Sequence, residues 1–429
     1  MLGGLLGHGA NQESWANWRG PHQNGSSNSA RPPLVWSESE NVRWKVAVPG
    51  KGHSTPIVWG DKVLVTTAIP VGEKRAPVRN LAPGAHDNFL VEQDHQYGVM
   101  AFDLQTGRLL WERGLARAFP HEGGHYTGSL ASPSPVTDGS RIYVSFGSQG
   151  LFALDWEGKL VWQRDMGRMD TRHAHGEGSS PALKNGVLVI NWDHEKQSRI
   201  VAYAAEGGDV LWERNRDENT SWSTPLIVTH EGKNQVIVSA TTRVRSYDLE
   251  DGQLIWEAGG LARNVVASPV AVNGVVIVGN SYDHQAMMAI ELSGAQGDLT
   301  GTSHILWSLD RMTPYVPSPL IYKGTLYFLR HNQAVLSCRD PVTGKTLRGP
   351  YRLAGLREVF ASPVAADDRI YVVDRSGATL VMSHGPEPQV LGLNRLDDRF
   401  SASPVPIGEA LILRGENYLY CLGNSQEKK

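Results

Sequence analysis

The chain is poor in the features that most often announce a chemistry. It has two cysteines in 429 residues, Cys338 and Cys421, at matching strand positions of repeats separated by an intervening repeat. A disulfide needs Cα atoms within about 7 Å, so two free, buried thiols are expected, with nothing to say about redox compartment. No segment reaches the roughly 18 consecutive apolar residues of a membrane helix. The formal net charge is −3, without a basic stripe or an aromatic-basic platform, which sets nucleic acid aside as a partner. There is no G-x-S-x-G elbow, and Gly123-Gly124 and Gly259-Gly260 read as turns rather than a phosphate loop. The start, Met1 to Gly7, lacks a charged n-region and is too short for a secretory apolar region. Long helical periodicity is missing as well.

What is abundant is turn and strand punctuation: 46 Gly, 24 Pro and 13 Trp, a composition that suits many short strands. The unit that recurs is Ala101-Phe102-Asp103-Leu104-Gln105-Thr106-Gly107-Arg108-Leu109-Leu110-Trp111, read as strand, tight turn and strand, with Gly107 supplying a positive φ. Its spacing returns at Ala202, Gly208 and Trp212 and at Ser246, Gly252 and Trp256. A version one residue shorter runs Ala153, Gly158, Trp162. Ala289 and Trp307 span a longer connection, and Ser337, Gly344 and Leu347 keep the frame without the Trp. The pattern suggests neighbouring sheets in which the indole of one packs on the small residue of another.

A second marker counts the units: Thr55-Pro56, Ser134-Pro135, Ser180-Pro181, Thr224-Pro225, Ser268-Pro269, Ser318-Pro319, Ser362-Pro363 and Ser403-Pro404, with later prolines 44, 44, 50, 44 and 41 residues apart. Proline at the first residue of a strand removes no ladder hydrogen bond. A fixed period of this length in a chain of this size argues one closed array. The expected fold is all-β, an eight-bladed β-propeller of four-stranded antiparallel blades. Val42-Arg43-Trp44-Lys45-Val46 is expected to complete the last blade, which stops at Tyr418 to Leu422, so that the paired N- and C-terminal strands close the ring. The propeller is placed at 36–423. A tail at 1–35 is read as packing Trp15 and Trp18 on the propeller side, and a second tail takes 424–429. An insertion of about 30 residues, 69–97, is expected over the ligand face, and Ser293 to Ser303 on the opposite face.

These repeats resemble the tryptophan-docking repeat of the PQQ-like β-propeller family, which includes quinoprotein alcohol dehydrogenases and the outer-membrane assembly factor BamB. The resemblance runs from about Trp36 to Cys421. It implies an exported, periplasmic protein, expected to be monomeric. In the dehydrogenases it implies a quinone held between a Trp and a vicinal Cys-Cys disulfide with calcium on Glu, Asn and Asp. This chain has no adjacent cysteines, so the sequence does not support pyrroloquinoline quinone.

In a propeller, the connections into each innermost strand and those between second and third strands share one face. Eight of the 15 histidines fall there in the first three blades: His53, His86, His95, His121, His125, His173, His175 and His194. Imidazoles with Asp193 and Glu177 nearby could hold a divalent first-row metal, with His125, His173, His175 and His194 as candidate ligands. Hydrogen bonds between loops are the plainer reading. Arg243, Arg330, Arg375 and Arg414 would line the other half, with Asp283, Asp374 and Glu416 beside them, either as inter-blade ion pairs or as a clamp for an anionic group. Trp222, Tyr315 and His331 complete the candidate ligand surface. The expected function is a non-catalytic scaffold that binds a protein partner or a small or saccharide ligand on this His- and Arg-rich face. The alternatives are a metal-assisted enzyme on acidic saccharides and a quinone-dependent dehydrogenase.

Overall fold

A computed structural model describes residues 14–77 and 82–424. The extreme start, the centre of the insertion at 78–81 and most of the C-terminal tail lie outside the described residues. Eight sheets follow one another along the chain, each with four antiparallel strands. The innermost strand of each starts at or directly after a Ser/Thr-Pro marker: Ile57–Trp59, Val136–Thr137, Ala182–Lys184, Leu226–His230, Val270–Val272, Leu320–Tyr322, Val364–Ala366 and Val405–Ile407. Val42–Ala47 pairs antiparallel with Tyr418–Leu422 as the outer strand of the eighth blade. The ends of the chain therefore close the ring and leave no open edge at the seam.

Two sets of contacts hold neighbouring blades together. At the axis, the hydroxyl of each marker accepts the backbone N–H of the marker one blade earlier. The circle runs Thr55 to Ser134, Ser134 to Ser180, Ser180 to Thr224, Thr224 to Ser268, Ser268 to Ser318, Ser318 to Ser362, Ser362 to Ser403 and Ser403 back to Thr55, at 2.9–3.2 Å. A residue before proline is held extended; its N–H falls outside the sheet ladder and needs a partner. The marker hydroxyl, and not only the proline, is therefore the structural element.

Farther out, each indole N–H reaches a carbonyl in the outer turn of the next blade. Trp44 donates to Leu104, Trp111 to Trp156, Trp162 to Ala205, Trp212 to Leu249 and Trp307 to Pro341, at 2.9–3.0 Å. The rings lie on Gly107, Gly158, Gly208, Gly252 and Gly344, where any side chain would collide with the indole. The small residues of the repeat do not dock across blades as expected. Ala101, Ala153, Ala202 and Ala289 face Trp111, Trp162, Trp212 and Trp307 across adjacent strands of one sheet. Trp256 departs from the pattern: its N–H goes to Gln235 Oε1 at 3.2 Å, and Gly297–Asp298 of the fifth-blade insertion adds a parallel fifth strand beside it.

The N-terminal segment runs beneath the ring rather than along its side. Trp15 is fully buried and exchanges backbone hydrogen bonds with Val58 at 2.8 and 2.9 Å. Arg19 donates to the carbonyls of Pro319 (2.9 Å), Pro363 (3.1 Å) and Asn24 (2.9 Å), below the hydroxyl circle, and burial lowers its pKa to about 9. Trp18 faces the channel above it. On the other face, the first-blade insertion divides in two. Its flanks extend the hairpin of Lys62–Val71 with Asp94–Asp103 as far as Val71 opposite Asp94. The rest folds back as an arm whose Asn88–Phe89 pairs with Gly124–His125.

Candidate functional site

An axial cavity of about 410 Å³ sits between the hydroxyl circle and the mouth. Trp18 lines it at the closed end; His53, His86, His125, His175 and His331 line it with Trp222, Tyr282, Tyr315 and Phe360. Among its described lining residues Glu177 is the only carboxylate, and there is neither Lys nor Arg. Glu177 accepts hydrogen bonds from the Ser148 N–H (2.7 Å) and hydroxyl (2.6 Å), and burial pushes its carboxyl up to about 8.

The histidines converge on the side of blades 1 to 3. The ring centre of His86 lies 4.9 Å from those of both His173 and His175; His175 lies 4.8 Å from His125 and 5.3 Å from His173. A carbonyl oxygen only accepts, so each ring nitrogen facing one carries the proton. That fixes His86 Nδ1 on Gly84 O (2.8 Å), His175 Nε2 on His86 O (3.1 Å) and His173 Nδ1 on Pro83 O (3.1 Å). His125 Nδ1 lies 2.6 Å from Thr127 Oγ1 and accepts the Thr127 N–H at 3.3 Å. The opposite nitrogens of His86, His125 and His175 have no protein partner among the described residues, whereas His173 Nε2 accepts from Arg172 Nε at 3.2 Å. Burial lowers the pKa of His125 and takes His175 down to about 4, so both rings are neutral at pH 7. Asn88 of the arm donates to the carbonyls of His173 (3.0 Å) and Ala174 (2.6 Å), which locks arm to cluster.

His331 stacks on Tyr315 at 4.6 Å and bonds Ser281 Oγ at 2.9 Å. His53, whose pKa burial holds well below the usual imidazole value, keeps Nε2 shielded and without a partner among the described residues. Trp222 donates its indole N–H to Gly176 O at 2.6 Å. His194 does not join the cluster: its ring nitrogens are taken by the Asp170 N–H (3.3 Å) and Gln197 O (3.1 Å). Asp193 does not reach the mouth either. It is fully buried, ion-paired with Arg216 at 2.7 and 3.1 Å and bonded by Ser221 at 2.7 Å.

The arginine half of the mouth differs from expectation because its side chains are paired outside the cavity or enclosed in protein. Arg243 turns outward to Glu257 (3.1 Å) and Asp298 (3.0 Å), the latter on the insertion strand. Asp283 pairs with Arg263 at 2.6 Å. Asp374 organises its own loop by accepting the N–H groups of Arg357, Glu358 and Ser376 at 2.6–2.8 Å. Arg375 is buried near Glu358 (3.5 Å) and Glu416 (3.9 Å), its guanidinium over Phe360 and Tyr126. Arg414 is buried with no hydrogen-bond partner among the described residues for any of its three nitrogens, and its pKa falls to about 10 for want of solvent. Arg330 is half-buried and does not line the cavity. His86 and Glu177, which the sequence placed on this face without naming them as ligands, line the cavity, as do Tyr282, Phe360 and Trp18, which were not candidates. A histidine in a long insertion was the available signal for the first; nothing in the sequence marked Trp18 as the floor.

Fold and site together define a PQQ-like eight-bladed propeller with an axial cavity capped at one end. The chain belongs to the family described as outer membrane protein assembly factor BamB, whose model matches residues 28–193, 95–349 and 196–426. It is 24% identical over 207 residues to the BamB of Legionella pneumophila (strain Paris), which covers 47% of this chain and 49% of that protein. The chain thus spans about half the length of that curated relative. Among solved structures, BamB from Moraxella catarrhalis superposes with a TM-score of 0.55 at 13% identity, covering 84% of this chain and 100% of the other. The quinohemoprotein alcohol dehydrogenase ADHIIG of Pseudomonas putida HK5 gives 0.58 at 12% identity, covering 97% and 81%. At such identities the structural likeness shows the fold alone.

The cavity does not suit the quinone of that second neighbour. Pyrroloquinoline quinone is a tricarboxylate and needs cationic or multiple hydrogen-bond donors, yet among the described lining residues there is neither Lys nor Arg, and Glu177 is the only carboxylate for a calcium ion. The two cysteines are free and buried, on strands Val335–Arg339 and Tyr418–Leu422 of separate blades.

Proposed function

We propose that this chain is a non-catalytic scaffold of the BamB kind, an exported monomer of the periplasm that receives a segment of a protein partner on its mouth face. The observation that carries the reading is the axial cavity, lined by imidazoles and aromatic rings and floored by Trp18. Its surroundings carry exposed apolar side chains: Leu90 on the arm, Tyr126 and Tyr282. A concave, largely apolar site with a few fixed polar groups suits binding, and the curated relatives carry outer membrane protein assembly in their name. No helix among the described residues is long and apolar enough to cross a membrane. The acidic-saccharide alternative loses its support with the arginine clamp.

A photo-crosslinking residue at Leu90 or Tyr126, with Val210 on an outer strand as control, tests this in cells of the source organism. The expected result is one protein adduct from both mouth positions and none from Val210. Equal adducts from all three positions, or none from the mouth, would overturn it.

A further inference from the structure

We propose that His86, His125 and His175 form a binding site for a late first-row divalent cation such as Zn²⁺ at the mouth of the axial cavity, with His173 beside it. Two imidazoles sharing a tetrahedral ion at about 2.0–2.1 Å through nitrogen hold their ring centres about 5 Å apart. The observed separations are 4.9 Å for His86 with His175 and 4.8 Å for His125 with His175.

The second observation is independent of spacing. One nitrogen of His86 and one of His175 donate to carbonyls, Gly84 O and His86 O, while His125 Nδ1 meets both the hydroxyl and the N–H of Thr127. Such contacts occupy one nitrogen of each ring and leave the other for a ligand, as the outer partners of metal-bound histidines do. The other nitrogen of each is unpartnered among the described residues, and all three residues line the cavity. Imidazole without carboxylate favours Zn²⁺, Ni²⁺ or Cu²⁺ over Mg²⁺ or Ca²⁺. Three protein ligands leave a coordination position for a donor atom from a bound molecule.

A rival set exists below the arm. His121, Glu122 and Asp170 have ligand atoms within 4.8 Å of one another, while the three imidazoles must turn to meet at one point. The rival is already satisfied, however. Asp170 is held by Arg168 (2.8 Å) and Lys196, Glu122 by Thr171, and His121 Nε2 by Met169 O at 2.8 Å. An entering cation would meet Arg168 and Lys196 there, whereas at the imidazoles the neighbouring Arg172 is bonded to His173 and the free nitrogens of His86, His125 and His175 have no protein competitor among the described residues.

The site is independent of whether a partner docks on this face. It is tested on untagged, chelator-treated protein by calorimetric titration with Zn²⁺ alone. About one ion per chain is expected. His175→Ala and His125→Ala are expected to weaken binding at least tenfold, and Thr127→Val, which removes the hydroxyl hold on His125, about tenfold. His331→Ala and His121→Ala should bind as the parent does. Circular dichroism checks that each variant folds, and His175→Asn, which keeps a hydrogen-bonding side chain, serves if His175→Ala does not. No Zn²⁺ binding, binding that survives the His125→Ala, His175→Ala double change, or binding abolished by His121→Ala would each overturn the assignment.

Discussion

The two halves of the mouth contain comparable numbers of polar side chains and use them in opposite ways. On the side of blades 1 to 3, His86, His125 and His175 line the cavity, each with one ring nitrogen bonded to the protein and the other without a partner among the described residues. On the side of blades 4 to 8, the guanidinium groups of Arg243 and Arg375 are turned to carboxylates, and that of Arg414 is enclosed in protein. The difference follows from the groups themselves. A neutral imidazole can be half-satisfied at little cost, whereas a guanidinium in a cleft carries a charge and five donors that must be neutralised or expelled. Imidazoles are therefore left available to a ligand, and arginines become structure.

That contrast can be broken at several points. The largest effect is expected at the buried pair of Asp193 and Arg216. Asp193→Ala leaves an uncompensated buried guanidinium and should cost about 3–5 kcal/mol in denaturant unfolding, as much as removing a docked indole by Trp212→Ala. A loss below about 1 kcal/mol would mean that Asp193 is not structural after all.

Next in size is a pH effect at Glu122, whose carboxyl burial raises to about 7 against the opposing hydrogen bonds of Thr171, with Asp170 and Arg168 nearby. Its folded pKa lies above the unfolded value, so the folded state binds the extra proton. Its contribution is present below about pH 4.5 and is lost as pH rises toward 7. Glu122→Gln should flatten the fall in melting temperature between pH 5 and 8; an unchanged slope would remove Glu122 from the argument.

Arg414→Met should change stability by no more than about 1 kcal/mol and toward the stable side, because the native guanidinium is buried without hydrogen bonds and an apolar replacement has no charge to desolvate. A loss of several kcal/mol would reveal a partner for it. His86→Ala should matter least, within about 0.5 kcal/mol, since His86 is exposed on the arm. A larger loss would make the histidine half structural too and erase the contrast.

Much of the fold was legible. The Ser/Thr-Pro markers counted eight blades because the same backbone problem, an N–H outside the ladder before a proline, recurs at each innermost strand. The Trp-Gly spacing was legible for the same reason, although the alanine facing each Trp was assigned to the neighbouring blade instead of the adjacent strand. The site was read less well. His53, His125, His175, Trp222 and His331 line the cavity, while His173, Asp193, His194, Arg243, Asp283, Arg330, Asp374, Arg375 and Arg414 do not. Loop membership placed both groups on one face, and side-chain direction separated them.

The sequence by itself determined what repeats: strand number, blade order, the seam between Val42–Ala47 and Tyr418–Leu422, and the docking tryptophans, since short-range spacing enforces each of these again and again. Tertiary structure alone decided what occurs once. Trp18 and Arg19 became the floor of a channel because this segment reaches the carbonyls and space that the strand starts leave at the axis. His86 joined His125 and His175 because an arm folded across a blade boundary to pair Asn88–Phe89 with Gly124–His125. Contacts between residues distant in sequence carry no period, and only the closed ring brings them together.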